Sequence, residues 1–331
     1  MTRGTGQHRD LAAEHRVQPV HRPTAGPIAV LPEQREMFVD AVLAGGGTVG
    51  PLSAATRGVV WLSETRADEL AVVLEANPNI QWVQLPWAGV DAFGDVLARW
   101  SGKPFPLWTS AKGAYSEPVA EHALALTLAL LRRFPQKTLA SRWVEKSGTS
   151  LYGLSVVIVG AGGIARELIR LLSLFEVEIT VVRRSDEAVE GAAKTVASGD
   201  LTEVLPLADV VVLAAASTGE TAQLIGAAEL SLMKPSAVLV NIARGALVDT
   251  DALVDALHNG VIAGAGLDVT DPEPLPDGHP LWSEPNLLIT SHSADTPEMT
   301  APLLASRIRV NVAALHSAEG FVGVVDPKAG Y

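Results

Sequence analysis

The sequence predicts an α/β protein of two parallel-sheet domains, each doubly wound about a central strand. Three observations support this. Nearly half of the 331 residues are apolar (48%), enough for more than one core. Strand-like and helix-like stretches alternate from residue 28 to residue 111 and again from 155 to 290, as parallel sheets covered by helices require. Between these runs, 155–159 is a continuous β-branched stretch that enters a helical pattern directly through a glycine-rich turn.

The stretch 1–27 mixes Arg3, Arg9, Arg16 and Arg22 with His8, His15 and His21, carries Pro19, Pro23 and Pro27, and has no apolar run. It reads as a flexible arm rather than a signal peptide, and Asp10 and Glu14 argue against a presequence. The cytoplasm follows as the expected location. Ordered structure is expected to start with a strand at 28–31, followed by strands at 58–62 and 81–85 and a helix at 67–75. Ser116 and Pro118 suit the start of a helix over 119–134, read as a bridge between domains. Further strands are expected at 155–159, 178–182, 210–214, 237–241 and 287–290, with helices at 166–175, 227–232 and 250–259. A final helix at 298–315 follows the second unit and is expected to pack back on the first. The predicted domains are therefore 28–111 with 291–331, and 112–290.

Composition narrows the chemistry. A formal charge of −12 disfavours nucleic acid and anionic membranes as partners. With no cysteine, disulfides, thiolate metal sites and thiol nucleophiles are excluded. Glu121 and His122 are adjacent on a helix and point in different directions, so they are assigned to structure and no metal site is expected.

The turn after 155–159 reads Gly160-Ala161-Gly162-Gly163-Ile164-Ala165. A glycine for the turn, another where backbone approaches a pyrophosphate, and a small residue between helix and strand make up a dinucleotide-binding (Rossmann) pattern. Gly160, Gly162, Gly163 and Ile164 are the expected cofactor contacts there, at a helix N-terminus that favours phosphate. At the tip of the next strand, where an acid would bind the ribose of NAD, stand Arg183, Arg184 and Ser185. Two guanidinium forks and a hydroxyl suit a 2′-phosphate, so NADP(H) is favoured and NAD(H) remains possible.

Three downstream segments follow in order: Asn241 to Asp249 with Arg244-Gly245 inside it, Gly266 to Pro274, and Asn286 to Ser293. With the glycine turn, Leu85-Pro86-Trp87-Ala88-Gly89-Val90-Asp91 and Val325-Asp326-Pro327, the chain resembles the D-isomer-specific 2-hydroxyacid dehydrogenases, of the glyoxylate/hydroxypyruvate reductase kind, from about residue 28 to the end. The resemblance implies a Rossmann cofactor domain and a discontinuous, flavodoxin-like substrate domain, with the active site between them. It implies hydride transfer between NAD(P)H and a short 2-oxo or D-2-hydroxy acid. It gives Arg244 the substrate carboxylate and carbonyl, His292 the proton, and Glu273 the task of orienting His292 and favouring its protonated form. Trp87, Ala88 and Gly89 are expected at the substrate, and Ala243 and Asp268 at the cofactor. The 119–154 region resembles the family's dimerisation segment, so a homodimer is expected. Trp87 and Trp108 are read as a bulky wall that restricts the pocket to short acids. Ser291 and Ala216 depart from the family, each standing where a proline is usual. Two alternatives stay open: a nicotinamide-nucleotide sensor with poor turnover, and a related phosphite- or formate-type dehydrogenase.

Overall fold

The computed structural model describes residues 8–9 and 16–328. In chain order the elements are β1 (Ile28–Leu31), α1 (Glu36–Ala44), β2 (Gly58–Trp61), α2 (Ala67–Ala76), β3 (Trp82–Gln84), α3 (Gly94–Trp100), β4 (Leu107–Thr109), α4 (Ser116–Leu131), α5 (Phe134–Thr138), β5 (Ser155–Val159), α6 (Gly163–Leu172), β6 (Glu178–Arg183), β7 (Lys194–Ala197), α7 (Leu201–Val204), β8 (Val210–Leu213), α8 (Ala227–Leu232), β9 (Val238–Asn241), α9 (Thr250–His258), β10 (Gly264–Leu267), β11 (Leu287–Ile289) and α10 (Pro297–Leu315). They form two compact units, Ser116–Asp295 and the chain on either side of it. The divisions fall after Tyr115 and before Thr296, a few residues beyond the sequence-based boundaries at 111 and 291.

The first unit holds a parallel sheet in the order β1-β2-β3-β4. On the free side of β1 the chain adds a single parallel bridge, Ile28 to Val49. Ile28 donates its N–H to Thr48 (2.8 Å), and Gly50 donates to Ile28 (3.1 Å). The chain thus winds outward from β1 in one direction and then returns to build β2, β3 and β4 on the other side, the flavodoxin-like order. β2 and β3 are fully buried, and β1 and β4 are buried except at Leu31 and Leu107, as expected for a parallel sheet covered on both faces.

Helix α10 closes this unit against α1, as expected for the final helix. Their approach depends on Gly45, where an added Cβ would lie 2.7 Å from the Arg309 carbonyl oxygen and 2.8 Å from Val312. A buried polar network fixes the orientation of α10. Asn311 donates to Gln84 Oε1 (3.0 Å) and pairs in both directions with the Val322 backbone, while Trp82 Nε1 donates to Thr109 and Thr109 to Gln84, each at 2.9 Å. Breaking one member would leave a buried partner unpaired, a cost of about 1–3 kcal/mol.

Two sequence expectations are corrected here. Of the stretch read as a flexible arm, residues 1–7 and 10–15 lie outside the described residues, but 16–27 is tied down. Val17 and Phe321 exchange backbone hydrogen bonds at 2.7 and 2.8 Å. Arg22 donates to the carbonyls of Ala314 (2.5 Å), Ser317 and Glu319 (2.7 Å), and lies over the Phe321 ring. The last carbonyls of a helix have no partner within it, and an arginine meets that need together with the negative end of the dipole. Trp108 is likewise not a pocket wall. It is 1% exposed and packs edge-on against Trp100 inside the core.

The second unit is a seven-stranded parallel sheet in the order β11-β10-β9-β8-β5-β6-β7. The winding reverses between β5 and β8, the topological switch point at which such sheets bind ligands. Helix α4 starts at Ser116, three residues before the sequence pattern suggested, and packs on α6, β9 and β10. Gly266 makes room for it: a Cβ there would sit 3.2 Å from Leu126 and Leu130. Among the described residues, no helix is long and apolar enough to cross a membrane.

Candidate active site

Because every strand of the second unit is parallel, all their carboxyl ends lie along one edge, and the candidate residues of this unit stand on that edge. Gly160 follows β5 at φ +115, and a Cβ there would fall 2.4 Å from the Ala214 carbonyl oxygen just beyond β8. Only glycine fits this turn. At Gly162, by contrast, a Cβ would meet nothing within 4 Å. Gly162 caps α6 without any side-chain hydrogen bond, and Gly162 and Gly163 are exposed, so no side chain caps the first N–H groups of α6. Ala165 is fully buried, where helix and sheet press together. The cradle fits a dinucleotide pyrophosphate: tight where the chain must turn, open where a phosphate must approach, and lined with backbone donors.

Arg183 closes β6, and Arg184 and Ser185 follow it on the exposed side. The Arg183 guanidinium pairs with Glu187 at 3.1 Å. At Arg183 a bound 2′-phosphate would therefore compete with an exposed carboxylate, a weak rival.

The loops after β9, β10 and β11, three neighbouring strands, carry Arg244, Glu273 and His292. Asn241 is fully buried and shapes the first loop, donating to the Arg244 carbonyl (2.9 Å) and accepting from the Ala243 N–H (3.1 Å). Arg244 is half-buried and donates to the Ala243 carbonyl (2.7 Å). Gly245 presses this loop onto the next, since a Cβ on it would lie 1.9 Å from the Thr270 carbonyl oxygen. Glu273 takes a hydrogen bond from the Thr270 N–H (3.4 Å) and reaches His292 Nδ1 at 2.6 Å. Both side chains are partly exposed, His292 at 47% and Glu273 at 41%, so a small molecule can reach them.

Asp268, 2% exposed, holds the third loop. Its carboxylate accepts from the Thr290 hydroxyl (2.6 Å), the Ser293 N–H (2.8 Å) and the Ala294 N–H (3.2 Å), while its backbone carbonyl accepts from the His292 N–H (2.6 Å). The residue expected at the cofactor is thus also the anchor of the loop carrying His292. Ser291 and His292 both adopt left-handed backbone, φ +49 and φ +53. A proline, fixed near φ −65°, does not fit residue 291 in this conformation. Sequence reasoning passed over Thr290, and His122 was assigned to structure; their link to Asp268 joins residues far apart in the chain, and no local pattern signals it. Among the described residues no group of three potential ligands could hold a metal.

In the first unit Trp87, Ala88 and Gly89 form the loop beyond β3. Tyr115 donates its hydroxyl to the Pro86 carbonyl (2.7 Å) and packs edge-on against Trp87, and the Ala111 N–H donates to the Trp87 carbonyl (3.0 Å). The loop is thereby fixed at its first half, while the Ala88 and Gly89 N–H groups donate to no backbone acceptor among the described residues.

Comparisons with known proteins identify the family. Residues 124–294 match the family model described as D-isomer specific 2-hydroxyacid dehydrogenase, NAD binding domain. An uncharacterised protein in the proB 3′ region of Corynebacterium melassecola is 42% identical over 259 residues, covering 76% of this chain and 84% of that protein. A glyoxylate reductase of Thermofilum pendens is 35% identical over 236 residues, 68% of each chain. The solved structure of a D-isomer specific 2-hydroxyacid dehydrogenase from Xanthobacter autotrophicus, in complex with NADPH and MES, is 26% identical with a TM-score of 0.79, covering 93% of this chain and 100% of that one. With its glycine cradle, its three-loop cluster and these matches taken together, the chain belongs to the D-isomer specific 2-hydroxyacid dehydrogenase family.

Proposed function

We propose that the protein is an NADPH-preferring reductase of short 2-oxo acids, in which His292 is the acid/base, Arg244 binds the substrate carboxylate and carbonyl, and Glu273 supports His292. The observation that carries this is the 2.6 Å contact between His292 Nδ1 and Glu273. With Nδ1 engaged by a carboxylate, Nε2 is the atom left to serve a substrate oxygen, and Glu273 stabilises the imidazolium that donates from it. After donation the neutral ring keeps its remaining proton on Nδ1, ready for the reverse reaction.

When bound, a nicotinamide would supply or accept the hydride. Arg244 is permanently charged, so it can neutralise the carboxylate and stabilise negative charge developing on the carbonyl oxygen. The Ala88 and Gly89 N–H groups, which donate to no backbone acceptor among the described residues, are assigned to the substrate carboxylate. Gly160, Gly162, Gly163 and Ile164 are assigned to the pyrophosphate, Ala243 and Asp268 to the nicotinamide end, and Arg183, Arg184 and Ser185 to the 2′-phosphate. The last assignment carries the cofactor preference, and the NADPH in the Xanthobacter structure supports it. A homodimer formed through the 119–154 region is part of the same reading; Leu139 and Trp143 there are 82% and 99% exposed.

The test is nicotinamide oxidation with NADPH and NADH against glyoxylate, hydroxypyruvate, pyruvate and phenylpyruvate, in the wild type and in His292→Ala. Turnover favouring NADPH, lowered by about 10²–10⁴-fold in the variant, is expected. Tight cofactor binding without turnover would overturn the proposal in favour of a sensor. Activity confined to phosphite or formate would overturn it in favour of that class.

A further inference from the structure

Behind the loop that carries His292 lies a second histidine. His122 sits on α4, about one-fifth exposed, with Nε2 2.8 Å from the Thr290 hydroxyl and 3.4 Å from Asp268 Oδ1. Its neighbour Glu121 is exposed. Hydrogen-bond directions across this cluster are determined by counting protons. The Thr290 hydroxyl has one, and it goes to Asp268 Oδ1 at 2.6 Å, because a carboxylate can only accept. Thr290 Oγ therefore meets His122 as an acceptor, and His122 must carry a proton on Nε2.

We propose that His122 is a positioning residue for the acid/base loop, acting as an obligatory Nε2–H donor that orients Thr290 and, through it, Asp268. The same Asp268 carboxylate accepts the Ser293 and Ala294 N–H groups, and its backbone carbonyl accepts the His292 N–H. The loop at 291–292 is left-handed at two successive residues, a conformation that persists only when its surroundings over-determine it. A donor on α4, a hydroxyl at the end of β11 and a carboxylate at the end of β10 are what hold it. The catalytic consequence rests on the reading of His292 as the acid/base. The hydrogen-bond relay itself does not.

The experiment uses the uniformly ¹⁵N-labelled full chain and three variants. Long-range ¹H–¹⁵N correlation in the cofactor-free protein should show His122, identified by its loss in His122→Gln, protonated at Nε2; a neutral ring protonated at Nδ1 would overturn the proposal. Amide exchange of Ser293 and Ala294 should accelerate on the order of tenfold in His122→Phe, which keeps the ring shape without the donor. Thr290→Val should do the same by cutting the relay from its other end, and it tests the proposal if His122→Phe does not fold. His122→Gln, which places an N–H donor at a similar reach, should restore slow exchange. Unchanged exchange in both His122→Phe and Thr290→Val would overturn the proposal. For turnover, His122→Phe should lower kcat roughly tenfold with a smaller change in KM, and glutamine should recover most of it. If His292→Ala remained fully active, the acid/base assignment would fall while the tautomer and exchange results still judged the relay.

Discussion

Gly245→Ala is the most demanding test of how the candidate site is assembled. The added Cβ would lie 1.9 Å from the Thr270 carbonyl oxygen and 2.5 Å from the Asp271 nitrogen, where ordinary contact starts at 3.4 Å. Both obstacles are backbone, so no side chain can swing aside, and one loop must move by about 1.5 Å, the shortfall in the closer contact. The loop under pressure is the one in which Thr270 steadies Glu273 and the Asp271 carbonyl accepts from Thr250. Overpacking of this kind costs about 1–3 kcal/mol, toward the upper end when backbone must shift. A displacement of this size at the residue that holds His292 should lower kcat/KM by about a hundredfold. The assay is urea unfolding followed by circular dichroism, in parallel with initial rates of NADPH oxidation. A variant within about 0.5 kcal/mol of wild-type stability and with wild-type kinetics would refute the claim that the loops after β9 and β10 are locked together through this glycine.

Two further outcomes are expected. Arg183→Ala and Arg184→Ala should each raise KM for NADPH about tenfold or more while leaving KM for NADH nearly unchanged; equal effects on both cofactors would remove these residues from 2′-phosphate recognition. The Glu298 carboxyl, in the first turn of α10, is held below the usual carboxylate range by its own backbone N–H and then by the Thr296 hydroxyl. Since the folded state holds the ionised form, this contribution is full at neutral pH and is lost as pH falls through the lowered value. Thermal melts from neutral to acid pH should therefore show a small acid-side loss that is absent in Glu298→Gln, and identical profiles would contradict it.

Much of the fold was legible locally. The β-branched runs that became β5 and β8 are buried on both faces, and such runs identify themselves without knowledge of their neighbours. Sequence reading missed β4, β7 and β10, and the last two lack a long β-branched run. Lys194–Ala197 pairs with β6 at the sheet edge and buries only Val196, so it has no apolar run. Gly264–Leu267 reads Gly-Ala-Gly-Leu and is a poor strand by propensity. It is a strand because β9 and β11 pair with it on both sides and the leucines of α4 occupy the space its glycines leave.

The candidate site divides in the same way. The sequence offered the glycine turn and the arginines at the tip of β6 as short local patterns, and the Arg244, Glu273 and His292 segments through the family resemblance. Tertiary structure decided the rest. It showed Trp108 to be core, tied residues 16–27 to the end of α10, and made Asp268 the anchor of the His292 loop, with Thr290 and His122 behind it. These are contacts between residues tens to hundreds of positions apart, and they exist only because parallel strands bring their carboxyl ends to one edge and helices pack across them. A one-dimensional pattern records what a residue can do, whereas its partner is set by how the chain closes on itself.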